Sequence, residues 1–199
     1  MRRPRSLPLL LWGGVVGPVA FVGAWVIGGA TIPGSYSPVD NAISDLAAVG
    51  ASTRVLMTVG FVVFGCGLIA FGLALRVVLE GRSWIAALVT GACTLGVAAA
   101  PLKGWSGDTV HGVFAGVGYV AIVALPFLAA PAFARRGWTR GARLSVLTAA
   151  VSAACLVATT FGPAHGLWQR LGLTVGDVWI VATASCLLAT GRSDRVSRT

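Results

Sequence analysis

Six apolar stretches, at about 7–30, 54–79, 84–100, 109–133, 142–161 and 173–190, follow one another along the chain with short connections between them. Each is near the ~20 residues that a helix needs to cross the hydrocarbon core of a bilayer. None alternates polar and apolar residues with a period of two, which argues against a β-barrel. The expectation is an all-α polytopic membrane protein. A single domain over 1–199 would hold six transmembrane helices, with both termini on one side. Pro18 is a candidate kink in the first helix, and Pro126 the main interruption of the fourth.

Composition agrees with this class. Only 11% of the 199 residues are charged and 56% are hydrophobic, with a mean hydropathy of +0.86. A soluble domain carries about a quarter charged residues, so this chain cannot coat a water-facing surface. Its 27 glycines suit membrane helices, where small residues let backbones approach. The net charge of +9 does not point to nucleic acid, because the basic residues cluster beside apolar segments. Cys66, Cys93, Cys155 and Cys186 each lie inside an apolar stretch and read as small buried hydrophobes. Arg2, Arg3 and Arg5 precede an apolar run longer than the roughly 7–15 residues of a signal core, so the first stretch is expected to be a retained helix.

Twelve arginines, including Arg2, Arg76, Arg135, Arg136 and Arg198, fall at one set of helix ends, against Arg54, Lys103 and Arg170 at the other. By the positive-inside bias, both termini face the cytoplasm. The acidic and imidazole groups partition the opposite way. Asp40, Asp45, Asp108, Asp177, His111 and His165 lie at or near the outer ends, leaving Glu80 and Asp194 inside. Acidic residues contribute little to orientation, so this collection suggests a shared outward-facing polar pocket.

Three segments supply that pocket. Ser37-Pro38 can open a short amphipathic helix ending near Gly50, with Asp40 completing a capping-box-like pattern. Asn41, Ser44 and Asp45 would share one polar face of it. Asp108 is a natural N-cap for the fourth span and places His111 in its first turn. His165, Trp168, Gln169 and Arg170 lie in the link before the sixth span, and Asp177 lies a turn or two inside it. An unpaired charge there is costly, and Arg170 or His165 is its natural partner.

The long apolar first span, Tyr36-Ser-Pro with Asn41-Ala-Ile-Ser-Asp-Leu46 after it, His111-Gly112 opening the fourth span and Gln169-Arg170 before the last resemble the bacterial membrane family labelled domain of unknown function 998. That resemblance implies six helices in a bacterial membrane, here the cytoplasmic (inner) one, and no established activity. A looser similarity is to intramembrane hydrolases of the alkaline ceramidase and progestin-receptor type, which combine a Ser, an Asp and a zinc held by three His. Ser44, Asp45, His111 and His165 echo that set. With two histidines in the chain, a zinc held by His111 and His165 would need a carboxylate such as Asp108 or Asp177 as third ligand.

Three functions are open at this point. The first is a binding or accessory protein, with Asp40, Asn41, His165, Gln169, Arg170 and Asp177 contacting a membrane lipid headgroup, a small molecule or a partner membrane protein. In the second, a hydrolase, Ser44 or an activated water attacks while His111 or His165 takes the proton and Asp45 or Asp108 orients it. The third is a small ion-coupled transporter.

Overall fold

A computed structural model describes residue 4, residues 6–34 and residues 36–196, with side chains through residue 190. Of the charge tally, Arg2, Arg3, Arg5 and Arg198, and the side chains of Arg192, Asp194 and Arg195, fall outside the described residues. The helices are α1 (Leu7–Thr31), α2 (Arg54–Val78), α3 (Ser83–Ala99), α4 (Gly107–Arg135), α5 (Thr139–Phe161) and α6 (His165–Val196). A short 3-10 helix, Ile43–Ala47, lies between α1 and α2, and no strand occurs among the described residues. Five helices are long and apolar enough to cross a membrane. The exception, α3, has 17 residues and so reaches about 25 Å. The protein is a polytopic helical membrane protein.

Each helix packs on its neighbours in sequence, and α6 returns to α1, so the six close into a ring. Small residues set the tightest crossings. A Cβ on Gly67 would lie 2.6 Å from the Gly13 carbonyl oxygen of α1, and one on Gly65 would lie 2.9 Å from the Gly91 carbonyl oxygen of α3. Two residues apart on α2, these glycines serve opposite neighbours. Phe21 of α1 and Phe61 and Phe64 of α2 fill the space beside these crossings, with ring centroids 5.0 to 5.8 Å apart. Between α5 and α6 the contacts include polar ones, because hydrogen bonds also hold helices together in lipid. There the Trp179 indole N–H donates to Ser145 Oγ at 2.8 Å, and Ser152 Oγ donates to the Gly172 carbonyl at 2.7 Å.

At one end of the ring the α2–α3 and α4–α5 turns meet through Arg135 and Glu80, whose charged groups are 3.4 Å apart on the surface. At the other end, the chain between α1 and α2 folds over the bundle. The Val49 N–H donates to the Leu102 carbonyl before α4, and the Leu167 N–H donates to the Val39 carbonyl. The amphipathic helix expected from Ser37 to Gly50 takes a tighter form, a turn over 37–41 followed by the five-residue 3-10 helix. Its polar side chains explain why. Ser, Asp and Asn bond to nearby backbone and compete with the helical ladder. The Ser37 N–H donates to Asn41 Oδ1 at 2.8 Å, Ser37 Oγ donates to Asp40 Oδ2 at 2.8 Å, and the Ala42 N–H donates to Asp45 Oδ2 at 2.9 Å. On the opposite side Ile43, Leu46 and Ala47 are buried in the bundle. Thr53 Oγ1 donates to the Leu46 carbonyl at 2.8 Å and ties the plug to the start of α2.

A second difference concerns α6. The helix begins at His165, eight residues before the expected start of the sixth span. The segment from His165 to Arg170 is therefore its first turns, not a link, and Asp177 stands more than three turns in.

Candidate functional site

Arg170 and Gln169, adjacent on α6 and each 5% exposed, hold the plug in place. Arg170 Nη1 donates to the Pro38 and Asn41 carbonyls, each at 2.8 Å, and to the Gly166 carbonyl at 2.9 Å. Its Nη2 donates to the Tyr36 hydroxyl. The guanidinium also lies 5.5 Å from the Trp25 ring centroid and 5.8 Å from that of Tyr36, within cation–π range. Burial raises the Tyr36 phenol above its ordinary pKa while Arg170 pulls the other way. A protonated Tyr36 can accept from Arg170 and donate to the Ala42 carbonyl, 3.4 Å away. Beside it, Gln169 Oε1 accepts from the Ile43 N–H at 2.7 Å, and Gln169 Nε2 donates to the Tyr119 hydroxyl of α4.

Gly166 makes the close approach possible, since a Cβ there would fall on the Asn41 carbonyl oxygen. Gly166→Ala should therefore push the loop off α6. We expect a loss of about 2 kcal/mol, in the range of overpacked cores. Thermal unfolding in detergent would measure it, and an unchanged midpoint would count against this seating of the loop.

Under the plug lies a cavity of about 60 Å³, bounded by α1, α2, α3, α4, α6 and the 3-10 helix. Phe21, Phe61, Phe64 and Phe114 give it aromatic walls, and Ser44, Thr90, Thr94, His111, Tyr119 and Gln169 supply the polar atoms. No carboxylate, lysine or arginine lines it. Thr90 and Thr94 donate their hydroxyl protons to the Ala86 and Thr90 carbonyls at 2.9 Å, leaving oxygen lone pairs as acceptors. His111 is 5% exposed. Its Nδ1 stands 2.8 Å from the Ala100 carbonyl oxygen. A carbonyl only accepts, so Nδ1 carries a proton and Nε2 is the nitrogen left over.

The structure brings together part of the set expected from sequence. Ser44, His111 and Gln169 line the cavity. Asn41 and Asp45 spend their side chains on the loop backbone, and Asp40 accepts from the Ser37 hydroxyl. Asp108 is the second residue of α4, with Ser106 at the N-cap position. It is exposed, and its Oδ1 accepts the Lys103 N–H at 2.8 Å. His165 is exposed at the first position of α6. Among the described residues no three His, Cys, Asp or Glu side chains group as a metal site, so His111, His165 and Asp108 do not form the zinc set expected of them. Asp177 is buried and meets neither Arg170 nor His165, and both of its oxygens lack a hydrogen-bond partner. Its expected ion pair is absent because Arg170 is turned to the loop carbonyls.

Trp25, Tyr119, Thr90 and Thr94 were not singled out from sequence, and Tyr36 entered only through the family resemblance. Helical spacing could have found three of them. Tyr119 follows His111 by two helical repeats of four, and Thr90 and Thr94 are one such repeat apart. No local pattern marks Trp25 or Tyr36 as the seat of an arginine more than 130 residues away.

No curated protein and no solved structure matches the chain, so the looser likeness to intramembrane hydrolases has no support there. One family model, described as a protein of unknown function (DUF998), matches residues 15–185. That match takes in α2 to α5, most of α1 and α6, the plug and every residue that lines the cavity, and the chain belongs to the DUF998 family.

Proposed function

We propose that the protein binds a membrane lipid, and that its cavity receives the uncharged polar end of that lipid: a hydroxyl, ester or amide. The charge tally supports an extracytoplasmic position for the site, and the membrane we propose is the cytoplasmic one of a bacterium. The observation that carries the reading is the lining itself. Neutral donors and acceptors stand on otherwise apolar and aromatic walls, the pattern of a site that orients a largely apolar ligand. A phosphate fits less well, because the nearby cation, Arg170, is committed to loop carbonyls. A cavity of about 60 Å³ admits a small polar group, with the rest of the lipid lying outside it.

Ser44 and His111 share the cavity, which is what a hydrolase would also need. Its orienting carboxylate is missing, however. His111 Nδ1 is held by the Ala100 carbonyl, and Asp45 and Asp108 bond to backbone elsewhere. Binding therefore accounts for more of the arrangement than catalysis does.

The test is mass spectrometry of lipid retained by the purified protein. Ser44→Phe would fill the cavity and removes no hydrogen bond of the fold. Retention of one lipid class is expected in the native protein, reduced at least tenfold in the variant, a change of about 1.4 kcal/mol. Equal retention by both proteins, or none by the native one, would sink the proposal.

A further inference from the structure

Asp177 lies twelve residues after His165 and thirteen before Thr190, the two ends of the apolar part of α6. At 1.5 Å per residue it stands about 18 Å along the helix, close to the middle of a hydrocarbon core about 30 Å thick. It is 2% exposed, and both carboxyl oxygens are buried without a donor. The surface ion pair of Arg135 and Glu80 lies at the end of α4 and in the α2–α3 turn, outside α6. Arg170, two turns toward the plug on the same face, is held by the Pro38, Asn41 and Gly166 carbonyls.

An isolated carboxylate so placed would lose its hydration with nothing in return, and such groups become neutral instead. A metal cation would need several oxygen ligands, and no cluster of ligating side chains occurs among the described residues. A proton needs one oxygen. On α6 the cavity reaches as far as Leu173. The Cα–Cβ bond of a helical residue tilts toward the helix N-terminus, which directs Asp177 toward Leu173, one turn back. Leu173 lines the cavity. So does Ile122, which would lie 3.2 Å from a Cβ on the adjacent Gly176.

We propose that Asp177 is a proton-binding site in the middle of the membrane, loaded through the cavity past Leu173. The acid holds the proton on one carboxyl oxygen, and exchange passes it to a water molecule entering from the cavity. This assignment does not depend on which lipid the cavity binds. Infrared spectroscopy of the native protein in lipid vesicles at neutral pH tests it. The carbonyl stretch of a protonated carboxylic acid should be present, should be lost in Asp177→Asn, and should shift when the sample is moved into D₂O. The proposal fails if Asp177→Asn removes carboxylate bands and leaves the acid band in place. It fails equally if the band ignores D₂O, which would make Asp177 a sealed structural acid. Leu173→Ala supplies a readout that keeps the acid itself: widening the wall should speed the exchange, and an unchanged rate overturns the access route.

Discussion

Replacing Arg170 by leucine should cost on the order of 3–5 kcal/mol, because it leaves several part-buried acceptors without donors at about 1–3 kcal/mol each. The Pro38 and Asn41 carbonyls and the Tyr36 hydroxyl all lose their partner at once. These groups belong to one loop, so their losses act together, and the plug over the cavity is what comes free. Arg170→Lys keeps the charge but not the planar fork that reaches several acceptors, and should recover only part of the loss. Arg54 is an exposed control at the start of α2, where substitution should stay within about 0.5 kcal/mol. Thermal unfolding in one detergent would rank the three. If Arg170→Leu melts with the native protein, the latch is not what holds the loop.

Gly67→Leu should be the most damaging change in the helix contacts. Its Cβ would already lie 2.6 Å from the Gly13 carbonyl and 3.0 Å from the Gly17 Cα, both backbone atoms that cannot swing aside. The two helices must separate, and the cost should reach or exceed the ~3 kcal/mol upper end of ordinary overpacking. Gly116→Leu is the matched comparison, since a Cβ there meets nothing within 4 Å. We expect Gly67→Leu to lose most of its monodisperse yield and Gly116→Leu to keep it. Equal yields would mean that the α1–α2 crossing is not as close as described.

The same pair shows what a linear reading can resolve. Gly60, Gly65 and Gly67 on α2, and Gly112, Gly116 and Gly118 on α4, are alike as runs of small residues. Folded, the α2 run is consumed by α1 and α3 within the chain, whereas Gly112 and Gly116 face open space. Nothing local distinguishes them, because what matters is which neighbour lies opposite. The loop after α1 is a similar case. Its polar residues were legible as a group, but their use was not. Asn41 and Asp45 bond to the loop's own backbone and Asp40 to the Ser37 hydroxyl, and Ser44 alone of the loop's polar set faces the cavity.

The membrane class, the six helices and the end of the bundle where polar groups collect were legible along the chain. These follow from hydropathy and chain alternation, which are properties of each segment and its nearest neighbours. Tertiary structure alone decided the pairings. Arg170 answers to carbonyls some 130 residues away, His111 to the Ala100 carbonyl, and Asp177, buried in the bundle without its expected partner, to no donor among the described residues. A buried polar group satisfies itself with whatever donor or acceptor packing brings within about 3 Å, and spacing along the chain does not set that distance.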